Sequence, residues 1–320
     1  MSQIFDGLQR LEAERHGTDV SALPTVTELL RVSEGRVTSR PDTSVLSSMS
    51  DGGRIEELDR PNSLAGGTVA VEAYHPNNTA DRLDKCQSLQ VSVAPQNRLV
   101  CFTDPGGPAA EAFRLLSVRL RDIRQIRQLK TVLITSTIPQ EGKSMVAANL
   151  ACSLAMGTQQ RVLLLEGDLR RPSLSHIFGL GKNPGLSERL HGDQALASYI
   201  YRLEGPNVWI LPSGSAPTDA AELLRSGRLS IMMDQLKGFF DWIVIDSPPI
   251  LPLADTSVWT RLSDGILLIT REGITEKKLL QRGLEAIEST KLIGAVINSS
   301  THSSDGYYYY TAASAPANKS

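Results

Sequence analysis

Cysteine, aromatic residues and net charge are all scarce in this chain. Its 320 residues include only three cysteines, Cys86, Cys101 and Cys152, scattered without metal-like spacing. That excludes a disulfide framework, and reduced thiols in a cytosolic protein are expected. The five histidines form no paired spacing, so no zinc site is expected. A net charge of −2 gives no global electrostatic case for nucleic acid. No apolar run approaches ~18 residues, which argues against a membrane-spanning helix. The segment from Met1 to Gly17 lacks the basic start and apolar core of a signal peptide. The chain is 41% hydrophobic and 21% charged, enough for one large α/β domain plus extra segments.

Ile4, Phe5, Leu8 and Leu11 fall on one stripe, which predicts an amphipathic helix within residues 1–16. Docking on a partner and packing on the chain's own body explain it equally. Residues 17–104 are rich in Ser, Pro, Thr, Gly and Asp and poor in periodicity, the composition of a low-complexity linker or arm. Order is predicted to resume at Pro105 with a helix over 109–129. Strands are then expected at 131–136, 161–165, 207–212, 242–246, 265–270 and 292–297. Helices are expected at 143–156, 193–202, 219–237 and 275–289. Short apolar strands separated by helices indicate an α/β fold, a parallel sheet sandwiched by helices, over 105–300. Ligands of such sheets bind at the carboxyl ends of the strands. Residues 301–320 read as a flexible tail.

One strand end carries a phosphate loop. The strand at 131–136 runs into Thr137-Ile138-Pro139-Gln140-Glu141-Gly142-Lys143-Ser144, which opens a small-residue helix. A tight turn aims backbone N–H groups at phosphate oxygens, and the helix N-terminus adds positive dipole. Pro139 to Met145 are the candidate nucleotide contacts. Lys143 would reach the outer phosphates, and the Ser144 hydroxyl would hold Mg²⁺. Two further strand ends carry acids. Leu165 leads into Glu166-Gly167-Asp168, and Ile245 leads into Asp246-Ser247-Pro248. A nucleoside triphosphate needs Mg²⁺, which takes one or two carboxylates. Asp168 and Asp246 are the candidates, as metal ligands and, with Lys143, as catalytic groups.

These three segments resemble the Walker A, A′ and B motifs of bacterial tyrosine kinases, the capsule and exopolysaccharide autokinases. The family's A′ pattern is Asp-x-Asp-x-Arg-x-Pro, and this chain has Glu166-x-Asp168-x-Arg170-x-Pro172. The wider group includes division-site and partition ATPases of the same P-loop fold. The latter carry a signature lysine near the start of the loop, where this chain has Ile138 followed by Pro139. The kinase branch is favoured. The resemblance implies ATP and Mg²⁺ as cofactors, a phosphate or neighbour contact for Arg170, and an adenine contact for Asn298. Glu111 and Arg114 match the family's Glu-x-x-Arg-x-x-Arg oligomerisation motif, which implies a homo-oligomer. Its third position is Ser117, a departure. Others are Thr137 and Gln140, where glycine is usual, and Glu166 for aspartate. Gln140 needs a backbone without φ > 0 or accepts a cost.

The chain has seven tyrosines, and four are consecutive: Tyr307, Tyr308, Tyr309 and Tyr310. An apolar docking tail would explain such a run. It also resembles the family's tyrosine cluster, the site of autophosphorylation. Nine residues beyond Asn298, Tyr307 could lie up to ~30 Å away, within reach of its own site or a neighbour's. The resemblance implies a cytoplasmic Mg-ATP-dependent protein-tyrosine autokinase that regulates polysaccharide polymerisation or export. It also implies a membrane-anchored co-polymerase as activator, which would hold the kinase at the inner face of the membrane. A switch ATPase without kinase activity and a noncatalytic nucleotide-binding scaffold remain the alternatives.

Overall fold

Unalternating apolar strands need cover on both faces, and this chain provides it. The computed structural model describes residues 83–94, 97–205, 207–251 and 255–298. The predicted N-terminal helix and Tyr307 to Tyr310 lie outside the described residues. The first elements are β1 (Gln87–Leu89), α1 (Val100–Thr103) and α2 (Pro108–Ile126). Next come β2 (Thr131–Ser136), α3 (Lys143–Ala155), β3 (Val162–Glu166), α4 (Leu174–Ile177) and α5 (Leu186–His191). They are followed by β4 (Tyr201–Leu203), β5 (Val208–Leu211), α6 (Ala220–Arg225), α7 (Gly227–Phe239) and β6 (Trp242–Asp246). The last are α8 (Asp255–Leu262), β7 (Gly265–Arg271), α9 (Lys277–Glu285) and β8 (Leu292–Asn298).

The eight strands form one sheet in the order β1-β4-β5-β3-β6-β2-β7-β8, parallel except between β4 and β5. Every residue of β2, β3 and β6 is buried. One face packs Val132, Ile134, Leu164 and Val244 against the small-residue helix α3. The other packs Leu133, Leu163, Ile243 and Ile245 with Trp259 and the helices around it. Each such side chain contributes about 1.5–3 kcal/mol on burial, so these three strands are the firmest part of the molecule. Ile134 and Glu166 both stand opposite Asp246 in the register. β3 and β6 therefore end level with each other, and β2 runs two residues further into the phosphate loop.

Three expectations differ from the structure. The helix expected at 193–202 is absent: a 3-10 turn at Leu196–Tyr199 leads into β4. Tyr201 and Leu203 are buried and Arg202 is exposed, the alternation of a strand. The helix expected at 219–237 is broken at Ser226, whose extended backbone separates α6 from α7. Within the segment read as linker, β1 extends the sheet edge beside β4, and Val91 and Val93 pack on the core. None of the three cysteines is in a disulfide.

The basic residues of α2 and of the link to β2 have a structural use. Arg121 donates to Leu154 O, Arg124 to Asp241 O, Arg127 to Asp264 O and Thr290 O, and Lys130 to Lys237 O. These cations cap carbonyls at element ends, where helix dipoles and unpaired acceptors favour positive charge. Among the described residues no helix is long and apolar enough to cross a membrane.

Candidate active site

The loop between β2 and α3 is shaped by its own side chains. Gly142 caps α3 in the left-handed region at φ 88°. Gln140 is also left-handed, at φ 68°, and a non-glycine residue there costs about 1–2 kcal/mol. Several braces offset that cost. The Glu141 carboxylate is fully buried. It accepts from the Ile138 N–H at 2.9 Å and from the Thr275 hydroxyl. Arg271 donates to Gln140 O at 3.3 Å, and the Asn298 side-chain amide donates to Glu141 O at 2.9 Å. Asn298 lies over the bare α-carbon of Gly142, where a Cβ would stand 2.0 Å from its Nδ2. Pro139 and Gln140 are exposed at the tip. Met145 packs its side chain on the core, so its backbone N–H is what it offers a ligand.

The acids converge on Lys143. Its Nζ lies 3.7 Å from Asp168 Oδ2, with both side chains largely buried. Asp168 Oδ1 accepts the N–H of Arg170 at 3.3 Å and of Arg171 at 3.0 Å, so the turn itself aims the other oxygen at the lysine. Asp246 is completely buried, and neither carboxylate oxygen has a hydrogen-bond partner. Burial pushes its carboxyl up to about 7, with Glu166 and Asp168 adding to the rise. The Lys143 charge and the nearby Ser144 hydroxyl act the other way. A buried carboxylate without a donor costs several kcal/mol unless a cation meets it. The donor set is thus one or two carboxylates with a serine hydroxyl, beside a ring of N–H groups at a helix start. That fits Mg²⁺, which takes few protein ligands and completes its shell with water and phosphate.

No protein-family model matches the chain. It is 33% identical over 218 residues to the tyrosine-protein kinase YwqD of Bacillus subtilis, covering 67% of this chain and 92% of that one. This chain belongs to the bacterial tyrosine-protein kinases. It is also 29% identical over 209 residues to the succinoglycan biosynthesis transport protein ExoP of Rhizobium meliloti, of which it spans only 26%. Among solved structures, the kinase domain of the Escherichia coli tyrosine kinase ETK superposes with a TM-score of 0.58 at 27% identity. That match covers 64% of this chain and 82% of that one.

The kinase's departures from the family pattern now have local reasons. Glu166 is not a spare metal ligand. Its Oε1 accepts the N–H groups of Ser173 and Leu174 at 2.5 and 2.6 Å, and its Oε2 accepts from Ser213 N–H at 2.9 Å. It ties the start of α4 to the loop after β5. Thr137 is buried against α9, where a Cβ on Gly283 would come within 3.0 Å of its hydroxyl. The side chain added at the loop is matched by one missing from the facing helix. Ser117 is buried and donates to Arg114 O at 2.7 Å, so the third motif position of α2 faces inward. Glu111 and Arg114 pair on the exposed face, and Arg114 also donates to Pro105 O. Arg170 extends from the Asp168 turn and pairs with Asp255.

Several contributors have no local sequence signal. Arg271 ends β7 and Thr275 follows in the turn after it, far along the chain from the loop they brace. Trp259 packs its indole on Gly167, where a Cβ would stand 2.7 Å from the ring, and donates to Gly167 O at 3.2 Å. The glycine between Glu166 and Asp168 is therefore required by close packing. A tryptophan one turn into a helix gives no hint of that partner.

Proposed function

We propose that this kinase uses Mg-ATP to phosphorylate tyrosines of its own C-terminal cluster, Tyr307 to Tyr310, and thereby regulates polysaccharide polymerisation or export. The buried Lys143–Asp168–Asp246 group at the phosphate loop carries the reading. Ser144, Asp168 and Asp246 would hold the Mg²⁺, which supplies charge neutralisation on the triphosphate. The backbone N–H groups from Gln140 to Met145 bind the phosphates, and Asn298, whose side-chain amide holds Glu141 O, is the adenine contact. Lys143 offsets the negative charge that develops on the group in transfer. A tyrosine hydroxyl with a pKa near 10 needs a base, and Asp246 or Asp168 orients it and takes its proton. The phenol oxygen gains the phosphoryl group as ADP departs.

The described tyrosines are poor acceptors, which favours the tail. Tyr199 and Tyr201 are buried, and their hydroxyls donate to Gln194 and to Pro184 O. Self-association is supported by Leu115 and Val118, exposed on α2 beside Glu111 and Arg114. Transfer then runs between subunits. The likeness to a succinoglycan transport protein supports the polysaccharide setting. We further propose a membrane-anchored co-polymerase as activator, holding the kinase on the cytoplasmic face.

The test is a replacement of Tyr307, Tyr308, Tyr309 and Tyr310 by Phe beside a Lys143→Ala variant, each incubated with Mg-ATP and read by mass spectrometry. Phenylalanine keeps the apolar ring and removes the acceptor. Both variants are expected to lose nearly all phosphotyrosine, and the tail variant is expected to bind nucleotide normally. Phosphate on Tyr199 or Tyr201, or phosphate release with no phosphotyrosine in wild type and activator, would refute the autokinase reading.

A further inference from the structure

Arg170 and Asp255 meet at the rim of this site from elements 85 residues apart. Arg170 lies in the turn that leaves β3, two residues past Asp168. Asp255 is the first residue of α8, reached from β6 through the loop after Asp246. Its carboxylate is 4% exposed, and its Oδ2 accepts from Arg170 Nε at 2.6 Å. The arginine side chain is 46% exposed. Among the described residues no acceptor holds its Nη groups.

A simpler account makes Asp255 a helix-start residue with a surface arginine beside it. Asparagine or serine would start α8 as well, without placing a nearly buried carboxylate there. As a stability device the pair is weak, because a half-exposed partner is screened by water. The way the pair is made is more telling. Arginine usually meets a carboxylate through a two-pronged contact that includes its terminal nitrogens. Here the carboxylate grips Nε, on the stem side of the group. The planar guanidinium is thereby fixed in orientation, and among the described residues nothing holds its Nη prongs. Asp168, which the same turn aims at Lys143, fixes the other end of the segment.

We propose that Asp255 is a positioning residue: it holds Arg170 by Nε so that the Nη prongs receive the oxygens of the phosphoryl group as it passes to tyrosine. The inference rests on the kinase reading above. A planar fork matches two phosphoryl oxygens, which a lysine's point charge cannot do. The contact acts on the group in transfer, so its loss lowers kcat more than it raises the KM for ATP.

The experiment measures kcat and KM for autophosphorylation in the full chain, with melting temperatures, for Asp255→Ala, Arg170→Ala, the double variant and Arg170→Lys. Each single alanine variant is expected to lose kcat on the order of 10²-fold with KM for ATP changed less than about threefold. The double variant is expected to be no slower than Arg170→Ala. Arg170→Lys should keep the melting temperature yet be as slow as the alanine variant. Asp255→Ser, which keeps the helix start but is too short to hold Arg170 Nε, replaces Asp255→Ala if the latter does not fold. Losses that multiply in the double variant, or a wild-type kcat in Arg170→Lys, overturn the positioning role. A Lys143→Ala control that retains full phosphotyrosine formation overturns the kinase reading itself, and an inactive control with independent Arg170 and Asp255 effects overturns only the pairing.

Discussion

Asp246→Asn should remove a pH dependence from the stability of the ligand-free kinase while disabling catalysis. In wild type the carboxyl is fully buried, without a donor, and its pKa stands near 7 against an ordinary 3.8. The folded state therefore keeps its proton at pH values where the unfolded chain has lost it. Stability from this source is complete below about pH 4 and is lost as the pH rises to 7. Each pH unit in that window removes ~1.4 kcal/mol, which amounts to roughly 4 kcal/mol across it. Above pH 7 both states are ionised and the penalty is constant. Asparagine does not titrate, and its own packing cost shifts the curve without bending it. Urea unfolding at pH 5, 6, 7 and 8 in EDTA buffer measures both proteins. The stability of wild type relative to the variant should fall by about 3 kcal/mol from pH 5 to pH 7 and then level. Adding Mg²⁺ and ADP should stabilise wild type far more than the variant. Two curves that run parallel from pH 5 to pH 8 would refute the assignment of an unpaired, buried carboxyl.

Glu166→Asp restores the family's usual residue, and the sequence alone suggests that this does little harm or raises activity. The three N–H groups held by Glu166 reverse that expectation: the shorter side chain should lose about 2–3 kcal/mol, read as a melting temperature several degrees lower. Gly283→Ala should crowd Thr137 and cost about 1–2 kcal/mol together with nucleotide affinity. Adding Thr137→Gly should restore much of both, and the coupling between the two sites is read from a double-mutant cycle by calorimetry.

The parts legible in the sequence are those written in short contiguous strings. The phosphate loop, the Asp168 turn and the Asp246 strand end each announce themselves within a few residues, and the sheet brings them side by side without further instruction. β4 was hidden because three residues between a 3-10 turn and a loop carry too short a pattern, and Tyr199 to Leu203 reads equally well as helix. β1 was hidden because the composition around it is that of a linker, and its partner strand went unrecognised. The braces of the loop join Glu141 to Thr275 and Asn298 across more than a hundred residues, a distance at which no periodicity speaks. Glu166 reads along the chain only as a departure from the motif's first aspartate. Its job is set by the backbone donors of Ser173, Leu174 and Ser213, which only the folded chain reveals.

The strand order also has a consequence for synthesis. β2 carries the phosphate loop and leaves the ribosome early, yet its two neighbours are β6 and β7, which come much later. At ~5–20 residues per second, on the order of ten seconds pass before either neighbour exists. During that interval a strand with the apolar run Val132-Leu133-Ile134 has both hydrogen-bonding edges open, a template for pairing with other chains. Nascent chains stalled before Trp242 should therefore be clients of chaperones, and those released beyond Arg271 should not.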